Sequence, residues 1–85
     1  MPLSTVSLPD QVRARIEAAM PDATVSVTGG GGHFQIRVVS AQFEGLNTLK
    51  KQRLVYAAFK ELMAGDSAPV HAVDSMITLT PDQAG

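Results

Sequence analysis

The chain contains no cysteine. Disulfides, thiol redox chemistry and cysteine-only metal sites are therefore excluded for the isolated chain. Small secreted domains often rely on covalent staples, so a reducing, cytoplasmic setting is expected. Charge of one sign is not in excess either: seven Lys and Arg stand against eight Asp and Glu, for a net charge of −1. A dedicated nucleic-acid or membrane-surface protein draws its sequence-independent affinity from a surplus of Lys and Arg that is missing here. The longest apolar runs are only a few residues, too short to span a bilayer. Residues 1–7 lack the basic and apolar regions of a secretory signal, which keeps the expected location cytoplasmic. No repeat or linker divides the chain, so a single domain over 1–85 is expected, with its ordered core over roughly 7–80.

What is present is ordinary globular material. The 85 residues are 45% apolar and 18% charged. A chain of this length buries roughly 60–65% of its unfolded surface, enough for one core of modest stability.

The elements follow from local patterns. Ser7-Leu8-Pro9-Asp10 has the spacing of a capped helix start, with proline tolerated in the first turn. Val12, Ile16, Ala19 and Met20 then mark one apolar face, and Pro21-Asp22 ends the helix. From Thr24 the period becomes two: Val25 and Val27 alternate with Ser26 and Thr28. Residues 29–32, all glycine, are expected to turn the chain into a second strand carrying Phe34, Ile36 and Val38 on one face. Phe43-Glu44-Gly45 breaks the pattern, and Asn47 caps a long helix expected over 48–64. Its apolar side is Leu49, Tyr56, Phe59 and Met63, widened by Val55 and Leu62. A third strand is expected over 70–79, and the polar end from Pro81 is expected to fray. The order helix-strand-strand-helix-strand predicts an α+β domain. A right-handed crossover makes the second and third strands parallel, in a three-stranded mixed sheet with helices on one face.

Catalytic patterns are absent. No Ser sits in a nucleophile elbow, there is no Cys, and the carboxylates are scattered, so no enzyme is expected. The glycine run precedes a strand rather than a helix N-terminus, which removes a phosphate-loop reading. Lys50, Lys51 and Arg53 lie in the first two turns of the long helix, where the macrodipole disfavours cations by a few tenths of a kcal/mol each. They form either a solvated face or an anion-facing patch for a nucleic-acid backbone, an acidic partner or a peptide carboxylate; with three cations, nucleic-acid binding would be weak and salt-sensitive. Two histidines remain. His33 stands between the glycine turn and the second strand and His71 opens the third, so parallel pairing of those strands would bring both to one end of the molecule. Each is a surface or hydrogen-bonded histidine or a metal ligand, and two imidazoles alone cannot complete a tetrahedral site.

Four blocks together resemble the BolA family: Gly-Gly-His33-Phe34-Gln35-Ile36; Val38-Val39-Ser40 with Phe43-Glu44-Gly45; Lys50-Lys51-Gln52-Arg53-Leu54-Val55-Tyr56; and Val70-His71-Ala72-Val73 running on to Thr80-Pro81. The resemblance covers roughly residues 10–82. Gln52, where many BolA proteins carry His, looks like the short IbaG-type branch. The resemblance implies a class II KH-like fold and an accessory role in iron–sulfur trafficking and iron homeostasis. It implies a heterodimer with a monothiol glutaredoxin, with a 2Fe-2S cluster held by the glutaredoxin cysteine, glutathione and BolA-side histidine. No cofactor is then expected on the isolated chain. The histidine of the His-Ala block maps to His71. Many relatives place a Cys or a further His in the loop between the first two strands, a position that falls here at about Gly30; either His33, a water or a partner group takes that place, or nothing does. The family also implies a second reading, a DNA-binding transcription regulator contacting nucleic acid through 45–53, with Lys50, Lys51 and Arg53.

Overall fold

The structure, a computed structural model, describes residues 7–64, 70 and 72–84. Helix α1 (Leu8–Ala19) begins as its sequence dictates: Ser7 is extended and its hydroxyl accepts the Asp10 N–H at 3.3 Å. Val12, Ile16 and Met20 are buried, but Ala19 is exposed. At 100° per residue the buried stripe drifts forward with each step of four, which leaves Ala19 at its margin.

Strands β1 (Thr24–Gly30) and β2 (His33–Val39) form the antiparallel hairpin, with Val27 opposite Ile36 and Gly30 opposite His33. The turn is shorter than the four glycines suggested. Only Gly31 and Gly32 turn the chain, at φ +63° and +85°, the two positive angles of a type I′ turn. Gly29 and Gly30 belong to β1. Gly29 is required for a different reason: at φ +129° an added Cβ would collide with the His33 carbonyl oxygen and stand 2.9 Å from the Phe34 Cα.

Helix α2 (Thr48–Phe59) is capped by the Asn47 side chain, which accepts the Lys50 N–H at 2.9 Å. It is shorter than the expected 48–64. Phe59 leaves helical geometry, and residues 60–62 tighten into a 3-10 turn closed by Met63 N–H to Lys60 O at 3.0 Å. The freed Leu62 carbonyl accepts the Val70 N–H at 3.0 Å, so the end of the helix is satisfied from the next segment. Leu49, expected on the apolar side, is 54% exposed; Val55 and Phe59 are the fully buried residues of α2.

Strand β3 (Ala72–Leu79) pairs parallel with β2, so the sheet order is β1-β2-β3 with β2 central. Val70, placed by sequence inside this strand, precedes it as a buried plug. Residues 81–84, expected to fray, form a helix instead. Helix α3 (Pro81–Ala84) is held by a reciprocal capping box: Gln83 N–H to Thr80 Oγ1 at 3.3 Å and Thr80 N–H to Gln83 Oε1 at 2.9 Å.

The α+β expectation with a three-stranded mixed sheet is met. Phe34, Ile36 and Val38 on one face of β2 pack with Val12, Ile16 and Met20 of the α1 segment and with Val55 and Phe59 of α2. The other face carries Ser26, Thr28, Gln35, Arg37, Ser75 and Ile77 around a shallow open groove. Among the described residues no helix is long and apolar enough to cross a membrane.

One carboxylate stitches the short α1–β1 connection to the segment that follows β2. Asp22, after α1, accepts from the Ser40 hydroxyl at 2.9 Å, the Ala41 N–H at 2.9 Å and the Gln42 amide at 3.0 Å. Ser40 is buried, and its own N–H reaches the Leu79 carbonyl at 2.9 Å. The Gln42 amide first, then the Ser40 hydroxyl and the Ala41 N–H, hold the Asp22 carboxyl below the ordinary aspartate value, against a smaller opposing effect of desolvation. A depressed folded-state value means stability present above the unfolded value of about 3.9 and lost as pH falls through the folded one. Asp22→Asn is therefore expected to lower the urea midpoint at pH 7 and to lose that deficit in acid, as the pH falls through the folded-state value. An equal deficit at both pH values would remove the ionised carboxylate from the account.

Candidate functional site

The starting ends of β2 and β3 meet at one edge of the sheet. The two-glycine turn delivers His33 as the first residue of β2, directly opposite Ala72, the first residue of β3. The Ala72 N–H donates to the Gly32 carbonyl at 2.9 Å, which is the first rung of the parallel pairing. Val70 is anchored just upstream by its burial and its bond to Leu62. His71, the principal ligand implied by the family resemblance, lies outside the described residues; Val70 and Ala72 fix the chain on either side of it.

His33 does not stand alone. Its Nδ1 lies 3.2 Å from Asp74 Oδ1, and the two side chains are 59% and 55% exposed. An ionised carboxylate only accepts, so this contact requires the proton on Nδ1. In the neutral ring Nε2 is then the nitrogen with a free lone pair. Metal-binding imidazoles carry this arrangement, one nitrogen held by a carboxylate and the other offered to the metal.

Asp74 reaches His33 because β3 bulges. Phe34 pairs with Val73 and Gln35 with Ser75, so Asp74 is an extra residue with no partner in β2. Val73 and Met76 both pack against the core while Asp74 and Ser75 both stay outside. Strict alternation cannot bury two residues three apart. The bulge reconciles them and turns out a carboxylate that sequence reading left among the scattered surface charges. The spacing of Val73 and Met76 within a strand was the available signal. Asp22 had none, because its partners lie 18 to 20 residues away.

Lys50, Lys51 and Arg53 are elsewhere. Lys50 and Arg53 are exposed and Lys51 is half-buried; among the described residues none joins an ion pair. The chain leaves β2 at Val39, bonds Ser40 to the finishing end of β3, and only then begins α2. Helix α2 returns to the starting end of β3, where Leu62 meets Val70. The basic turns and His33 therefore occupy opposite ends of the crossover, separated by much of a helix about 18 Å long. They are two sites rather than one.

As donors for a metal the described residues are incomplete. No group of three or more His, Cys, Asp or Glu side chains is poised around one point among them. An imidazole backed by a carboxylate at an exposed edge fits a metal shared with another molecule.

Comparison with known proteins agrees with this architecture. The family model for BolA-like protein matches residues 9–83. A protein of the rpoN-murA intergenic region of Acinetobacter guillouiae is 42% identical over 64 residues, 75% of each chain. Acid stress protein IbaG of Escherichia coli is 33% identical over 72 residues, covering 85% of this chain and 82% of the relative. Mammalian relatives are longer: the alignment spans 58% of BolA-like protein 1 from Pongo abelii. Among solved structures, a BolA homologue from Coxiella burnetii superposes with a TM-score of 0.75 at 36% identity, over 94% of this chain and 97% of that one. The BolA domain of SufE1 from Arabidopsis thaliana gives 0.71 at 26% identity, over 89% and 94%. With nearly its whole length matched by the family model and the same fold in these relatives, the chain belongs to the BolA-like family.

Proposed function

We propose that this protein is a cytoplasmic accessory factor in iron–sulfur cluster trafficking and iron homeostasis. In this reading it forms a heterodimer with a monothiol glutaredoxin and shares with it a 2Fe-2S cluster, its cargo. The partner's cysteine and glutathione supply sulfur, His71 supplies an imidazole, and His33, at the start of β2, is the second candidate. The observation that carries the reading is the sheet edge where β2 and β3 begin: His33, with Nδ1 on Asp74, sits opposite Ala72, the residue that follows His71 in the family's His-Ala block.

The donor chemistry is consistent with a shared rather than an owned cluster. A 2Fe-2S centre takes four protein or thiol donors, and imidazole can replace thiolate on one iron. With no cysteine, the chain offers only nitrogen and oxygen donors and depends on a partner for the rest. Substituting a neutral imidazole for an anionic thiolate raises the reduction potential of such a centre. The chain's own work is to orient its imidazoles and to present an exposed edge for docking.

Native mass spectrometry of the protein mixed with a monothiol glutaredoxin, glutathione, iron and sulfide tests the assembly. The expected species is a heterodimer carrying cluster and glutathione. Only glutaredoxin homodimers alongside free chain would remove the reading. The nucleic-acid reading would then lead, since Lys50, Lys51 and Arg53 stand outside every ion pair found among the described residues.

A further inference from the structure

We infer that Asp74 is the positioning residue of the metal edge: its carboxylate holds the proton of His33 on Nδ1 and so presents Nε2 as the donor atom. The inference deepens the shared-cluster reading and rests on it. Three observations converge. The Nδ1 to Oδ1 distance of 3.2 Å is within hydrogen-bonding range. Asp74 is the unpaired residue of a bulge in a parallel pair, an uncommon device that recurs where a side chain must be re-aimed beside a functional site. Both side chains are more than half exposed, so burial does not fix the ring and the carboxylate is its described restraint.

The pair has little to offer stability. Exposed ion pairs contribute little to folding, and the bulge interrupts ladder pairing on β2. Its chemistry is orientation. Neutral imidazole in water prefers its proton on Nε2, which would point a donor, not a lone pair, away from Asp74. Reversing that preference in advance removes a reorganisation step before a metal can bind, and loss of such a partner commonly costs 10–100-fold in metal affinity.

The test has two readouts. Long-range nitrogen–proton correlation of the His33 ring in the free protein, with the ring neutral, is expected to show Nδ1–H in the unaltered chain and Nε2–H in Asp74→Ala. The same variant, reconstituted with a monothiol glutaredoxin, glutathione, iron and sulfide, is expected to lose its cluster to a chelator about 10–100 times faster. His33→Ala should match it, with unchanged far-ultraviolet circular dichroism in both. A ring carrying its proton on Nε2 in the unaltered protein, or a cluster lifetime unmoved by Asp74→Ala, overturns the proposal and leaves the His71 reading standing. Absence of any shared cluster with the unaltered chain overturns both.

Discussion

His71→Ala is expected to leave the far-ultraviolet spectrum unchanged and to abolish the visible circular dichroism of a cluster shared with a monothiol glutaredoxin. The fold has other anchors in this segment: the buried Val70 side chain, and the Ala72 N–H on the Gly32 carbonyl. The cluster has few alternatives. Without thiolates, the chain can replace a lost imidazole only with His33 or a carboxylate, and carboxylate is a poor ligand for this kind of centre. The glutaredoxin would then be expected to keep its cluster as a homodimer and to display that spectrum. A His71→Ala complex with an unchanged heterodimer spectrum would remove His71 from the ligand set.

The largest effect on stability is expected at Phe59. Its side chain is fully buried, and its ring lies 5.7 Å from that of Tyr56 at a tilt of 41°. It joins the core formed by α1, β2 and Phe43 just where α2 gives way to the 3-10 turn. Truncating a buried Phe to Ala removes the transfer free energy and leaves a cavity, together about 3–5 kcal/mol. A domain of this size is stable by roughly 4–13 kcal/mol, so Phe59→Ala is expected to lower the thermal midpoint by at least ~12 °C. Leu49→Ala in the same helix is the internal control. Leu49 is 54% exposed, and its truncation should cost under about 0.5 kcal/mol. Similar losses at both positions would contradict the packing described for α2.

Much of this fold was legible from local chemistry. Ser7 and Asn47 marked helix starts with side-chain oxygens that do cap them. Alternation of Phe34, Ile36 and Val38 identified the central strand, and all three are buried. The misreadings have tertiary causes. Leu49 fits an apolar stripe by spacing, but it sits in the opening turn, whereas the fully buried positions of α2 are further along at Val55 and Phe59. The α-helix gives way at Phe59 to a 3-10 turn whose Leu62 carbonyl accepts the Val70 N–H, a contact between segments that no helical pattern encodes. Thr80-Pro81-Asp82-Gln83 has the spacing of a capping box, a local signal that outweighs the polarity of this end. At the candidate site, the meeting of His33 with the start of β3 followed from parallel pairing. Asp74 did not, because a bulge changes which residues share a face and appears in sequence only as the odd spacing of Val73 and Met76.

The proposal that this chain shares a cluster is tested most directly by visible circular dichroism of the unaltered protein. It is mixed with a monothiol glutaredoxin, glutathione, iron and sulfide, and compared with the glutaredoxin alone. The expected result is a spectrum distinct from that of the glutaredoxin homodimer, growing in as this chain is added and saturating. A spectrum identical to that of glutaredoxin alone at every ratio would contradict the proposal and turn attention to Lys50, Lys51 and Arg53 at the other end of the crossover.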